Sequence, residues 1–172
     1  MDLLEEVFAR HRQDLFHFCY RRLGSIEAAQ DACGRIVLKA INNIDSFEPH
    51  PDRPGETMRA WLFRIARNDL IDSRRAWRPI RSLDVSEPGF VEPTDPRPGP
   101  ETTALQREAA HELQAVLQQL PETQRNIIEL RLAGLRGDEI ASTLGLTLSA
   151  VKSAQYRAYA RLRDLLSNHE SR

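Results

Sequence analysis

Five arginines, Arg64, Arg67, Arg74, Arg75 and Arg78, recur in the segment 58–78 at a spacing that puts them on one face of a helix. Met58, Leu62, Phe63, Ile65, Ala66 and Leu70 fall on the opposite arc, and Ile71 interrupts the basic stripe. From Met58 to Arg81 seven arginines stand against Asp69 and Asp72, a local charge of +5. Guanidinium groups are planar, permanently charged and give paired hydrogen bonds to phosphate oxygens. A stripe of this length suits a sugar-phosphate track, against the plainer alternative of a solvated basic face. Trp61 lies at the border of the two arcs, where a ring either packs into the core or stacks on an unpaired base, and packing is the simpler reading.

A second stretch carries base-reading chemistry. In 139–152 a small residue, Ala141, is followed four positions later by Gly145 and six further on by the β-branched Val151. This is the pattern of a helix-turn-helix: close helix contact, a sharp turn through positive φ, and an inward anchor on the second helix. Thr147 is placed to cap that second helix. With Val151 taken as inward, Ala154, Ala158, Leu162, Leu165 and Leu166 share its face, while Lys152, Ser153, Tyr156, Arg157 and Arg163 point away. Between Gly145 and Arg163 there are four basic residues and no acid. Thr147, Ser149, Lys152, Ser153, Tyr156 and Arg157 thus present polar groups near the helix start and charge farther along, as a major groove requires. Arg136-Gly137 offers no good cap for the first helix, leaving Asp138 as the substitute and a start expected to fray.

Helices must position both sets. Leu4, Val7, Phe8, His11, Leu15, Phe18 and Cys19 recur at helical spacing over 3–23, with Gly24 as a stop. Ser25 can cap a second helix on which Ile26, Ala29, Cys33, Ile36, Val37, Ala40, Ile41 and Ile44 recur. Three prolines and a glycine make Phe47 to Gly55 a loop, and Thr57 can cap a third helix running to about Ala76. Between Pro88 and Pro100 lie five prolines in 13 residues, and 82–104 carries a charge of −4, which reads as an extended acidic linker. Beyond it Leu105, Ala109, Leu113, Val116, Leu117 and Leu120 form one stripe, and Pro121 opens a short helix ending at Gly134. Further helices are expected at about 138–144 and 149–167. No β-type alternation occurs, so the expected fold is all-α: two small helical domains, 1–80 and 104–172, joined by the linker 81–103 as if on a string.

Composition bounds the function. Over 172 residues, 24 Lys and Arg against 25 Asp and Glu leave a formal charge of −1, which excludes a uniformly basic coat protein but not local DNA binding. The basic side is nearly all arginine, Lys39 and Lys152 being the two lysines, a bias that a GC-rich genome alone would also produce. There is no apolar run of membrane-spanning length, and Met1-Asp2-Leu3-Leu4-Glu5-Glu6 is too acidic for a secretory signal, so a cytoplasmic setting is expected. Cys19 and Cys33 fall on apolar helical faces and read as buried thiols. No phosphate-binding glycine loop, no metal-ligand spacing and no nucleophile–base pair is present, so neither enzyme activity, metal nor cofactor is expected.

The two stretches, in this order and separation, resemble a sigma factor of bacterial RNA polymerase, and more narrowly the extracytoplasmic-function (ECF) class, which keeps regions two and four. The resemblance rests on Ala60-Trp61-Leu62-Phe63-Arg64-Ile65-Ala66-Arg67-Asn68 with Asp72-Ser73-Arg74-Arg75. In the second half it rests on Leu120-Pro121, Leu130-Arg131, Glu139-Ile140-Ala141, Leu144-Gly145-Leu146-Thr147 and Val151-Lys152-Ser153. It implies a transcription initiation factor that binds core RNA polymerase and directs it to promoters, melting the minus-ten region. A helix-turn-helix regulator acting without polymerase is the alternative, and an interaction protein built around an inhibitory anti-sigma partner is a third class. By the resemblance, Phe47, Trp61, Arg64, Arg67, Asn68, Arg74, Arg75 and Arg78 would serve the minus-ten element, with a flipped base held by the loop 46–57. Thr147, Ser149, Lys152, Ser153, Tyr156 and Arg157 would read the minus-thirty-five element. Asp31, Gly34, Arg35, Leu38 and Lys39 would meet the polymerase clamp coiled coil, while the flap would grip region four. The linker would thread toward the RNA exit channel, and an anti-sigma factor is the implied inhibitor. The segment Asp31 to Val37 departs from the family pattern, since a Gln-Glu pair is replaced by Gly34-Arg35, which places a mid-helix glycine and a reversed charge at the expected polymerase face.

Overall fold

A computed structural model describes residues 2–76 and 100–170. Among the described residues the backbone forms seven α-helices and no strand. The helices are α1 (Asp2–Leu23), α2 (Ile26–Asn42), α3 (Pro54–Ala76), α4 (Pro100–Gln118), α5 (Glu122–Leu132), α6 (Gly137–Leu144) and α7 (Leu148–Glu170), with one 3-10 turn at Ile44–Ser46. The segment 77–99, most of the expected linker, lies outside the described residues; its last positions, 100–103, belong to α4.

Gly24 adopts φ +71°, which ends α1, and the Ser25 hydroxyl then accepts the Ala28 N–H to start α2. The third helix begins three residues earlier than its expected cap. Pro54 takes the first position, where its fixed φ suits a helix, and Thr57 sits inside the first turn with its hydroxyl donating to the Arg53 carbonyl at 2.9 Å. The stripe on α4 is buried at its C-terminal end, at Val116 and Leu117, with Leu120 following, whereas Leu113 is exposed. The Leu105 side chain falls outside the described set.

Helices α1, α2 and α3 pack around Leu15, Phe18, Ile36, Leu62 and Phe63, with the rings of Phe18 and Phe63 edge-on at 5.5 Å. Helices α4, α5 and α7 close a smaller cluster on Leu117, Leu120, Ile128 and Ala158. The two halves do not hang apart on their linker. One apolar core runs on from Leu15 and Phe18 into Ile127, Leu130, Leu135, Ile140 and Val151 of the second half.

Arginine–carboxylate pairs frame this junction. Arg22 of α1 bonds the buried Glu129 and the amide oxygen of Asn126 on α5, and Arg21 donates to the Glu129 carbonyl at 3.3 Å. Arg59 of α3 forks onto the buried Glu139 of α6. Arg136 reaches Glu56, and Arg53 reaches Asp138 at 3.0 Å, on the exposed rim. The Thr143 hydroxyl donates to the Ala60 carbonyl at 3.2 Å within the contact. Buried carboxylates at such a seam need partners, because a charge leaves water only when it is paired.

Candidate nucleic-acid interface

The turn between α6 and α7 is built as its sequence demands. Gly145 takes φ +66° and ψ 34°, a left-handed conformation that side chains with a Cβ adopt at a cost, and the Leu146 N–H returns to the Ala141 carbonyl at 2.9 Å. The Thr147 hydroxyl accepts the Ala150 N–H at 3.1 Å and so caps α7. Val151, Ala154 and Ala158 face the core, and Ile140 and Ala141 meet them from α6.

The start of α6 is not frayed. Glu139 reaches back to accept the Arg136 N–H at 2.8 Å, so the helix begins at Gly137 rather than at Asp138. The missing acceptor at the cap is replaced by an acid in the first turn, which satisfies one of the free N–H groups and complements the helix dipole.

On the outer side of α7 and its turn, Thr147, Ser149, Lys152, Ser153, Tyr156 and Arg157 are all exposed, Tyr156 at 77%. Together they form one open polar and basic face. Arg131 of α5 braces that helix from behind, donating to Gln155 at 3.1 Å and to the Leu135 carbonyl at 3.2 Å.

Helix α3 divides as the sequence requires, with Met58, Leu62, Phe63, Ala66 and Leu70 buried and Ile65 half-buried. Arg64 and Asn68 are exposed, and Arg67 is half-buried with its Nε lacking a protein partner. The side chains of Arg74 and Arg75, and Arg78 altogether, lie outside the described residues. Trp61 packs inward at 8% exposure with its ring 5.3 Å from that of Phe47, so the loop after α2 is anchored on the indole. Trp61 also lines a cleft of about 270 Å³ together with Lys39, Asn43, Ser46, Ile65, Asn68 and Asp69.

In the sequence Asp69 reads only as a charge set against the arginine stripe. The structure buries it to 2% and gives it two cations from α2: Lys39 Nζ at 2.7 Å and Arg35 Nη2 at 3.0 Å. Arg35 also reaches the Ser73 hydroxyl at 3.4 Å. A buried acid with two long cations folded over it could have been inferred only by knowing that α2 and α3 lie side by side.

The five residues expected to meet polymerase therefore separate into two groups. Asp31, Gly34 and Leu38 share an outward stripe, with Leu38 at 61% exposure and open space around Gly34. Arg35 and Lys39 are exposed as well, and their charged ends reach across to Asp69 of α3.

Family comparisons match both halves of this arrangement. Residues 7–79 match the profile of Sigma-70 region 2, and residues 110–162 match that of Sigma-70, region 4. The ECF RNA polymerase sigma factor SigD of Mycobacterium tuberculosis is 31% identical over 166 residues, covering 94% of this chain and 76% of SigD. The chain belongs to the ECF RNA polymerase sigma factors. SigE of Mycolicibacterium smegmatis is 28% identical over 97% of this chain, which spans 63% of the length of SigE. The solved structure of CnrH in complex with the cytosolic domain of CnrY superposes with a TM-score of 0.68 at 27% identity, covering 96% of this chain and 88% of CnrH. The family is one of transcription initiation factors rather than catalysts, and its region 2 accounts for the N-terminal half that a stand-alone helix-turn-helix regulator would leave unexplained. Among the described residues no helix is long and apolar enough to cross a membrane.

Proposed function

We propose that this ECF sigma factor binds core RNA polymerase reversibly in the cytoplasm, directs it to promoters and helps to open the minus-ten region. The observation that carries the reading is the open face of Thr147, Ser149, Lys152, Ser153, Tyr156 and Arg157 behind the Gly145 turn, in a chain matched to both sigma regions. That face suits the major groove of a minus-thirty-five element: hydroxyls and Lys152 reach base edges, and Arg157 reaches phosphate.

In the first half, Arg64, Arg67, Arg74, Arg75 and Arg78 are assigned to the phosphates of the opening duplex. The cleft beside Trp61, with Lys39, Ser46 and Asn68 on its rim, is assigned to an extruded base. Phe47 holds the loop that walls it. Region two is assigned to 1–80 and region four to the half that opens with α4, four residues before the expected boundary at 104, with the acidic segment between them assigned to the RNA exit channel. Asp31, Gly34 and Leu38 are assigned to the clamp coiled coil. Arg35 and Lys39 flank that contact from the Asp69 side, and the flap takes region four. CnrH forms a complex with the cytosolic domain of CnrY, and an anti-sigma protein is assigned as a partner of this chain.

Run-off transcription with core polymerase tests the proposal. Adding the protein should yield promoter-specific transcripts and a stable complex with core. Absence of both, with the free protein shifting specific duplex DNA on its own, would overturn it.

A further inference from the structure

Cys19 and Cys33 are the two cysteines of the chain, and the fold brings them together from facing sides of α1 and α2 with their Sγ atoms 4.0 Å apart. A disulfide needs about 2.05 Å between sulfurs. Closing the gap takes an approach of about 2 Å, which side-chain rotation and a small helix slide can share.

The two thiols are not equivalent. Cys19 is fully buried, whereas Cys33 is half-buried and precedes Gly34, around which the surface is open. The S–H···S contact with Cys19 holds the Cys33 thiol below its ordinary range against the opposing effect of burial. The same contact, and burial after it, push Cys19 up. Cys33 is therefore the sulfur that a dissolved oxidant reaches first and Cys19 the one waiting behind it, which is the arrangement of an attacking thiol with a resolving partner.

We infer that Cys33 and Cys19 form a hydroperoxide-sensitive dithiol that oxidises to a disulfide joining α1 to α2. The Cys33 thiolate attacks one oxygen of hydrogen peroxide, the O–O bond breaks, and the departing hydroxide takes a proton to leave as water. Cys33 is then a sulfenic acid. The Cys19 sulfur attacks Cys33 Sγ, the S–S bond forms, and the expelled hydroxide leaves as water with the Cys19 proton. Two thiols and one peroxide become one disulfide and two waters, the peroxide taking the two electrons. A small-molecule dithiol reverses the change by thiol–disulfide exchange.

The test uses the reduced full chain and a few equivalents of hydrogen peroxide, followed by thiol titration, intact mass and non-reducing electrophoresis. Free thiols are expected to fall from two per chain to none, the mass to drop by two hydrogens, and the chain to stay monomeric, with dithiothreitol restoring all three readings. Cys19→Ala should stop at a Cys33 sulfenic acid that dimedone traps, and Cys33→Ala should leave Cys19 unmodified at the same dose. Three results would overturn the inference: both thiols surviving a dose that oxidises the urea-unfolded chain, a disulfide-linked dimer, or equal reactivity of the two variants. Circular dichroism reports whether the variants fold, and the wild-type thiol count and mass decide the matter if either does not.

Discussion

Arg59 and Glu139 meet across the two halves of the chain as a forked pair, Nε to Oε1 at 2.9 Å and Nη2 to Oε2 at 2.5 Å, with Glu139 only 4% exposed. The same Glu139 oxygen accepts the Arg136 N–H, so one carboxylate both seals the junction and starts α6. Removing the guanidinium strands a charge where water cannot reach it. Arg59→Ala is expected to cost about 3 kcal/mol. Arg53→Ala, at the exposed rim, should cost about 0.5 kcal/mol. Urea unfolding of the two variants checks the ranking, and equal midpoints would show that the buried pair carries no special weight.

Lys152 and Arg157 are exposed on α7 and bear no part of the core, so truncating them leaves the fold intact. Lys152→Ala should weaken a consensus minus-thirty-five duplex by about 1–3 kcal/mol with relaxed preference at one base pair. Arg157→Ala should weaken all sequences alike and reduce the salt dependence by about one phosphate. Holoenzyme binding to labelled promoter DNA over a salt series separates the two, and loss of core binding in either variant would refute the assignment of this face.

On α2 the unusual Gly34-Arg35 pair divides into two separate experiments. Gly34→Gln meets open space and replaces a poor helix former, so it should stabilise the chain by about 0.5 kcal/mol while changing affinity for core polymerase. Arg35→Glu instead sets an acid beside the buried Asp69 and removes one of its two cations, at an expected cost of about 1–3 kcal/mol in stability. Thermal melts and core-binding titrations distinguish these outcomes. An unchanged dissociation constant for both Gly34→Gln and Leu38→Ala would remove α2 from the polymerase face.

The Asp138 carboxyl is held below the ordinary carboxylate range, first by its hydrogen bonds from Arg136 and against the opposing effect of partial burial. A lowered folded-state pKa gives stabilisation that is complete above the unfolded value, near about 3.9, and lost as pH falls through the folded value. Asp138→Asn should therefore be less stable than wild type at neutral pH, by under about 1 kcal/mol because the pair is exposed. The difference should close as the pH drops below about 4. Melting temperatures of both proteins from neutral to acid check this, and parallel curves throughout would contradict it.

What the sequence made legible were features that depend on near neighbours in the chain. The Gly145 turn, the Thr147 and Ser25 caps and the buried arc of α3 each follow from residues within two helical turns. The start of α6 escaped, because Glu139 makes up for Arg136-Gly137 from inside the helix, a substitution that a search for acceptors at the cap position overlooks. The junction escaped for a different reason. Arg22 and Glu129 are separated by 107 positions, and neither carries a local mark of its partner. A charge count does not distinguish the arginines that the fold uses to neutralise acids of the opposite half. The same blindness hid Asp69, whose role depends on how α2 lies along α3.

Asp69 has a consequence for how this protein can diverge. Its two oxygens fix Arg35 and Lys39 on one helix, and its flank lines the cleft beside Trp61 on another. A single inherited change at this position would alter the ionic character of both places at once. Lineages that drift in one trait would have to drift in the other, or first acquire a second acid to relieve the constraint. Under the assignments proposed above, the helix offered to the polymerase and the cleft offered to the promoter are tied together through this one carboxylate.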